Sequence, residues 1–202
     1  MTTLGCHNLL DGKAPATPFA DIIFFTEATT KVHGNLWKTH DVYSCEQQRD
    51  LAIAVADTHV LGDPSTDMRR HYKKAHWGVR KVTPNRGTFW LTNDEWKIAL
   101  LVEHRINAAF PPFKRGEGLF RKTMWAMHTQ LTLRIIRRLK KKGYTIYAGG
   151  DLNTPVGVSG YKGVLNEVGR KYDRLGSTRE LTDAKRLSRL GSDHFRLRAT
   201  VK

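Results

Sequence analysis

Acids, amides and histidines stand at or just past the ends of apolar stretches in this chain. Strand ends along one edge of a sheet bring distant parts of a sequence together, and loops there commonly carry function on a rigid scaffold. The residues in such positions are Asn8, Glu27, His104, Asp151 and Asn153, and Asp193 with His194 directly precedes the last predicted strand. Because this set is rich in carboxylates and amides and contains no cysteine, it favours a hard, oxygen-bound cation such as Mg²⁺ over zinc.

Each of these residues also has an ordinary structural interpretation. Asp151 and Asn153 could form an Asx turn between a strand and the next element, and Asp193 with His194 could form the turn before the last strand. Glu27 could be a solvated strand end. The chemical interpretation therefore depends on the joint occurrence of all these residues in one order along the chain.

The elements that must position these side chains follow from the apolar pattern. Near-continuous apolar runs and alternating runs both predict strands. The predicted strands are 2–9, 21–27, 51–60, 86–93, 95–107, 144–150 and 195–201. Several of them are adjacent in sequence, which predicts an α/β fold with mixed, largely antiparallel sheets.

One long helix is predicted before the stretch GGDLNTP. Apolar residues recur at three- and four-residue spacing from Met124 to Leu139, which makes a single apolar face, and Gly143 ends the pattern. A shorter helical piece is predicted around 163–170. The stretch 64–86 has no clear period and is rich in Lys and Arg, so we expect an irregular basic loop.

The composition is that of one domain over residues 1–202 with an affinity for polyanions. The hydrophobic share of 40% suffices for a normal core. The chain has 34 Lys and Arg against 19 Asp and Glu, which gives a net charge of +15. Such an excess attracts nucleic acid or an anionic membrane surface.

Other classes of protein are disfavoured by what the sequence lacks. Cys6 and Cys45 form no CxxC pair, so a zinc finger and a disulfide framework are both poorly supported. The first residues show no signal-peptide pattern, and the longest apolar run, IALLV, is too short to cross a bilayer. We therefore expect a cytoplasmic or otherwise intracellular protein without stable membrane association.

Taken in order, the motifs resemble the endonuclease/exonuclease/phosphatase superfamily, which includes pancreatic-type deoxyribonuclease and the exonuclease-like abasic-site endonucleases. The resemblance runs nearly end to end, through DIIFFTE, LLVEHRI, GDLN, YDRL and the terminal SDH. GDLN and SDH in this order, with a helix before the first and a strand after the second, form a specific pair. The resemblance implies a four-layer α/β sandwich, in which two mixed, mostly antiparallel sheets pack face to face with helices outside.

The resemblance also implies a role for each site residue. It implies Mg²⁺, with Mn²⁺ as a substitute, and the implied ligands are Glu27, Asn8, Asp193 and Asp151. The implied catalytic residues are His194, Asp151, His104, Asp173 and Asn153. Asp173 is preferred to Asp183 as the partner of His194 because YDRL looks like a strand start. Whether His194 or Asp151 takes the proton from water stays open, as does the acidic partner of His104.

The function implied is Mg²⁺-dependent hydrolysis of phosphodiester bonds in nucleic acid by a monomer, with DNA favoured over RNA and endonuclease or exonuclease action left open. Basic loops would contact the phosphates and Tyr72 or Trp77 would stack on bases. The substrate-binding set is Asn153, Arg69, Arg70, Lys73, Lys74, Arg80, Arg105, Lys114 and Arg115. Two alternatives remain: the same chemistry on a small phosphoester or lipid headgroup, and a noncatalytic nucleic-acid-binding module.

Overall fold

The structure is a computed structural model that describes residues 1–10, 14–28, 37, 39–45, 48–56, 72–78, 86–107, 117–154, 158–170 and 172–202. Twelve strands and one helix lie within these ranges. The strands of the first half are β1 (Thr2–Asn8), β2 (Ile22–Thr26), β3 (His40–Cys45), β4 (Gln48–Ala56), β5 (Tyr72–Gly78), β6 (Gly87–Asn93) and β7 (Ile98–His104). The second half holds α1 (Glu117–Lys141), β8 (Thr145–Asp151), β9 (Asn166–Arg170), β10 (Asp173–Ser177), β11 (Leu181–Leu187) and β12 (Arg196–Val201).

Each of the two six-stranded sheets contains one parallel pair of strands. Sheet A has the order β11-β12-β1-β2-β4-β3, and sheet B has the order β5-β6-β7-β8-β10-β9. The parallel pairs are β1 with β2 and β7 with β8, and the other described pairings are antiparallel. Parallel neighbours end at the same edge of a sheet. Each pair therefore delivers two successive strand ends to one place.

The two sheets pack face to face over one apolar core. Leu4, Phe24 and Ile53 of sheet A lie in the same buried cluster as Phe89 and Leu100 of sheet B. Removing such side chains from water supplies most of the stabilisation, about 1.5–3 kcal/mol for each fully buried large apolar residue. The predicted arrangement of two mixed sheets packed face to face is confirmed.

The outer faces of the sheets are covered in different ways. α1 packs Ile136 and Leu139 on the outer face of sheet B, against Leu101 and Ile146. On sheet A, within the described residues, the cover is Phe19 with neighbouring loop residues and Trp37. No helix in the described ranges is both long enough and apolar enough to span a membrane.

Two stretches differ from their predicted local structure. Residues 163–170 were expected to be helical, but Asn166–Arg170 form β9, which pairs with β10. Gly169 has a φ of 114°, outside the helical range, because its backbone lies against that of Asp173. β5 lies inside the stretch expected to be irregular, where its pairing with β6 extends sheet B. In both cases a tertiary partner decides the local structure.

Candidate active site

The polar strand ends meet in one cleft of about 670 Å³ between the ends of the two sheets. β1 ends at Asn8 and β2 is followed by Glu27, while β7 ends at His104 and β8 at Asp151. The sequence-predicted residues that line the cleft are Asn8, Glu27, Asp151, Asn153, Asp173, Asp193 and His194. His104 is completely buried beside them. The structure therefore brings the predicted catalytic and metal-binding residues to one place.

Two of these residues hold a backbone conformation that is uncommon for side-chain-bearing residues. Glu27 has a φ of 53° and Asn153 a φ of 45°. Asparagine tolerates the left-handed region, whereas a glutamate there costs of order 1 kcal/mol or more. Such strain persists only where surrounding structure imposes it, and it clusters at functional sites. The turn after β2 thus directs the Glu27 carboxylate into the cleft.

Three carboxylates surround the buried imidazole of His104. Its Nδ1 lies 3.0 Å from Asp50 Oδ2, and its Nε2 lies 3.4 Å from Asp151 Oδ2 and 3.5 Å from Glu27 Oε1. Burial alone would lower the pKa of His104, but its contacts with the carboxylates of Asp151 and Asp50 outweigh burial and raise the pKa above its ordinary value. The imidazolium form is therefore favoured inside the protein.

Asp50 is the acidic partner of His104 that the sequence left unassigned. A positional signal exists: Asp50 directly precedes the apolar run of β4, and Leu51 pairs with Thr26 of the antiparallel β2. That register places Asp50 beside Glu27 at the same sheet edge. Asp50 precedes the apolar part of its strand, so a pattern of polar residues at the ends of strands does not include it.

Arg86 is a second group at this site that was not included among the predicted site residues. Its Nη1 lies 2.9 Å from His104 Nδ1, and its Nη2 lies 3.7 Å from Glu27 Oε1. The guanidinium can donate to Nδ1 only when that nitrogen is unprotonated, whereas Asp50 accepts from Nδ1 only when it carries a proton. The raised pKa of His104 favours the contact with Asp50.

The carboxylate of Asp151 is held by its neighbours on both oxygens. Oδ1 accepts the backbone N–H of Asn153 at 3.0 Å, and Oδ2 accepts from Nδ2 of Asn8 at 3.1 Å. Burial raises the pKa of Asp151, but the hydrogen bond and charge of His104 reverse this and lower it overall. The Asx-turn interpretation of GDLN is thus correct, and the turn fixes an ionised carboxylate in the cleft.

On the other side of the cleft, His194 and Asp173 form a close pair. His194 Nδ1 lies 2.9 Å from Asp173 Oδ2. Burial lowers the pKa of His194, but the hydrogen bond and charge of Asp173 raise it to about 9. For Asp173, burial is the largest effect and raises the pKa to about 6. At neutral pH the pair is therefore an imidazolium beside a carboxylate. The structure places Asp173, not Asp183, at this position, as the sequence predicted.

The side chain of Ser192 links the backbone of His194 to the end of β1. Ser192 Oγ donates to the backbone carbonyl of Asn8 at 2.7 Å and accepts the backbone N–H of His194 at 3.0 Å. Ser192 is buried. The serine of the SDH motif therefore holds the β1 end and the His194 loop at a fixed distance.

The predicted metal ligands do not form a single tight group. Within the described part of the chain, the one group of carboxylate and imidazole donors whose atoms all lie within 4.8 Å of one another is Asp151, Asp173 and His194. Glu27 and Asp193 line the same cleft outside that group. The side chain of Asp193 is 63% exposed, and its Oδ1 lies 3.7 Å from His194 Nε2.

Arg105 does not contact substrate, contrary to the prediction, because it is completely buried. Its Nε and Nη2 donate to the two carboxylate oxygens of Glu103 at 2.8 and 3.0 Å, and Nη1 donates to Thr129 Oγ1 and to the carbonyl of Gly160. Its own backbone carbonyl accepts from Asn153 Nδ2 at 2.8 Å. Arg105 therefore holds the GDLN loop in place through the hydrogen bond from Asn153 to its backbone carbonyl.

The other basic residues of the predicted substrate-binding set lie outside what the structure describes. Residues Arg69, Arg70, Arg80, Lys114 and Arg115 fall in undescribed segments, and Lys73 and Lys74 belong to β5, whose side chains are not described. The same holds for Tyr72 and Trp77. Asn153 is described: it is almost fully buried and lines the cleft.

Comparison with known proteins identifies the fold. The chain matches no protein-family model and no curated protein. Among solved structures it is similar to truncated TDP2 of Caenorhabditis elegans, with a TM-score of 0.65, 16% identity and coverage of 98% of this chain and 96% of that one. It is also similar to the mannosyl-6-phosphatase Bt3783 of Bacteroides thetaiotaomicron, with a TM-score of 0.64, 13% identity and full coverage of both chains.

A third similar structure is the 3′ phosphatase NExo from Neisseria bound to a product DNA hairpin, with a TM-score of 0.63, 10% identity and full coverage of both chains. The fold that the motifs imply is thereby confirmed. At these identities the similarity establishes the fold alone.

Proposed function

We propose that this protein is a divalent-metal-dependent hydrolase of phosphodiester bonds in nucleic acid, with DNA as its first substrate. One observation carries the proposal: the acid–imidazole pair of His194 with Asp173 lines the cleft, and a second pair, His104 with Asp50, is buried beside it. The raised pKa of each histidine favours the imidazolium form. Preorganised positive groups of this kind stabilise the negative charge that develops on a phosphoryl group.

The donor set fits a hard divalent cation. Glu27 and Asp151 present carboxylate oxygens, and Asn8 Oδ1, which accepts the backbone N–H of Leu10, keeps a second lone pair. We assign Glu27, Asp151, Asn8 and Asp193 as the residues that would hold Mg²⁺. We do not include His194 among these residues because its Nδ1 is already bonded to Asp173. When bound, the cation would supply Lewis-acid stabilisation of a phosphoryl oxygen.

The charge states assign the proton roles. Asp151 is ionised, so it can accept a proton from an attacking water, whereas His194 with a pKa of about 9 already carries its proton at neutral pH. We therefore assign Asp151 as the proton acceptor and His194 as a charged donor to a phosphoryl oxygen. Asp173 orients the imidazole through Nδ1, which leaves Nε2 directed away from Asp173.

The choice of nucleic acid rests on charge and on similarity. The net charge of +15 attracts polyanions. Two of the similar structures are of NExo, described once as a 3′ phosphatase bound to a DNA hairpin and once as a 3′-5′ exonuclease. These descriptions belong to those proteins, and they make DNA the first substrate to test for this one.

The decisive experiment is incubation with supercoiled plasmid, linear DNA and RNA, each with Mg²⁺, with Mn²⁺ and with a chelator. We expect cleavage of DNA that requires the cation. Glu27→Gln should lower kcat/KM at least about 100-fold. The matched control is Glu180→Gln, which alters an exposed ion pair with Lys202 and should cleave at the wild-type rate. Metal-independent cleavage, or a fully active and folded Glu27→Gln variant, would refute the proposal.

A second candidate is hydrolysis of a small phosphomonoester by the same site. The similarity to a mannosyl-6-phosphatase, with full coverage of both chains, favours including it. A released-phosphate assay on sugar phosphates, run beside the nuclease assay, separates the two functions. Phosphate release without cleavage of any polynucleotide would select the phosphatase.

A further inference from the structure

Two arginines and a phenylalanine form a basic wall of the cleft next to His194. We define the arginine rim as Arg186, Arg189 and Phe195; all three line the cleft. Phe195 directly follows His194, and Arg189 lies in the connection between β11 and β12 that carries the SDH motif. The rim is therefore close in sequence to His194. It lies outside the basic loops that were predicted from the sequence to contact phosphates.

The two guanidinium groups of the rim are held in place yet lack a carboxylate partner. Arg189 lies 4.2 Å and Arg186 5.6 Å from the centre of the Phe195 ring. Among the residues that the structure describes, no Asp or Glu oxygen lies within ion-pair distance of either group. A cation–π contact restricts a guanidinium without using its N–H donors. Both arginines are thus preorganised to bind an anion.

The rim also presents apolar surface to the cleft. Phe195 is 40% exposed, and Leu10, which lines the same cleft, is also 40% exposed. A lone phosphate group offers nothing to cover these side chains. An unpaired nucleobase does, because every base has a flat apolar face that stacks on aromatic rings and guanidinium planes. Cationic and apolar groups side by side therefore match a strand whose bases are not paired.

We propose that the arginine rim binds single-stranded or locally unpaired nucleic acid beside the reacting bond, with Arg186 and Arg189 on its phosphates and Phe195 against a base. This proposal rests on the proposed function and names the substrate class for the same site. Anionic membranes share the preference for basic and apolar groups. The rim, however, lines a concave cleft, which a strand can enter and a flat bilayer surface cannot follow.

The test measures binding without catalysis. A short fluorescein-labelled oligonucleotide, single-stranded or as a duplex, is titrated with protein by fluorescence anisotropy in the presence of a chelator. Arg186→Gln with Arg189→Gln should weaken binding about 10-fold or more and make the salt dependence of single-strand binding shallower by about 1.4 in logarithmic slope, because two phosphate contacts are lost. The control, Arg137→Gln with Arg138→Gln, removes the same charge from exposed positions on α1 and should retain the wild-type slope.

Phe195→Ala separates the base contact from the phosphate contacts. It should weaken single-strand binding about 10-fold and duplex binding much less. Equal losses for the arginine-rim and α1 double variants would overturn the proposal, as would a Phe195→Ala variant with unchanged single-strand preference. If the arginine-rim double variant lost binding to phosphatidylserine vesicles but kept oligonucleotide binding, the rim would be a membrane-binding surface instead.

The failure of this proposal is distinguishable from failure of the proposed function. If binding depends on the rim but the protein cleaves no substrate, the proposal for the rim stands and the proposed enzymatic function is wrong. If cleavage depends on the metal but the rim variants behave like the α1 control, the proposed enzymatic function stands and the proposal for the rim is wrong. Thermal unfolding of each variant checks that these surface substitutions leave the fold intact.

Discussion

At the residue scale, the His104 imidazole shows how two buried carboxylates, Asp151 and Asp50, raise the pKa of a buried histidine. Asp50 is almost fully buried and contacts only one of the two imidazole nitrogens. Burial by itself would remove the proton from His104, so the acids around it decide the outcome. Burying Asp50 costs free energy, and its contact with Nδ1 stabilises the charged form of His104 beside Glu27 and Asp151.

We predict that Asp50→Asn lowers the pKa of His104. The substitution removes a negative charge 3.0 Å from Nδ1 and keeps a group of the same shape, so the imidazolium loses stabilisation. Turnover should fall about 10-fold or more, as for other groups that orient a site residue. Titration of the histidine ring carbons by NMR measures the pKa directly. Asp183→Asn, an exposed change on β11, serves as the control, and an unshifted His104 would contradict the assignment.

At the element scale, the two glycines of GGDLNTP, which both belong to β8, let this strand lie against its neighbours. Gly150 has a φ of 143°, and a Cβ there would approach the carbonyl oxygen of Glu103 on β7 to 2.0 Å. Gly149 lies under the ring of Phe24 from the opposite sheet. The close approach of β7, β8 and sheet A therefore depends on the absence of side chains at these two positions.

We predict that Gly150→Ala destabilises the protein by about 3–5 kcal/mol, since backbone strain and a backbone clash add. Gly163→Ala is the matched control: Gly163 also has a positive φ, 72°, but open space surrounds it, so only the conformational cost of about 1–2 kcal/mol applies. Urea unfolding of both variants gives the two free energies. Equal losses would show that β7 relaxes away from β8.

Elements whose side chains alternate or are wholly apolar could be predicted from the sequence, and others could not. β2 is completely buried, and in β12 every second residue is buried between more accessible ones, so each strand has a pattern that the sequence shows. β11 has four consecutive exposed residues, and its pairing with β12 is all that makes it a strand. The same limit affected the site. Arg105 was predicted to bind substrate, since the sequence does not show that its guanidinium forms a buried ion pair with Glu103.

At the scale of the whole molecule, buried neutral histidines make stability depend on pH. His7 is 1% exposed, and burial lowers its pKa from the ordinary 6.5 to about 4. Between these values the unfolded chain binds a proton that the folded chain does not. Stability from this residue is therefore complete above pH 6.5 and is lost as the pH falls towards 4, by about 3 kcal/mol in total.

We predict that His7→Gln removes this loss. Glutamine keeps a donor near the position of Nε2, which contacts the carbonyl of Arg189, and it does not titrate. Asp173, with its pKa raised to about 6, acts in the opposite sense over part of the same range, so the difference between wild type and variant is the informative quantity. Urea unfolding at a series of pH values measures it. Parallel stability curves would mean that His7 is hydrated in solution.

The position of β12 in sheet A has a consequence for how the protein is made. β12 lies between β11 and β1, with Thr2 opposite Val201, so β1 gains that neighbour only after Arg196–Val201 have been synthesised. Until then His194 has no fixed distance from Asn8, because the Ser192 contact that sets it cannot form. A nascent chain that does not yet include β12 would therefore carry the Glu27 and Asp151 motifs without an assembled site.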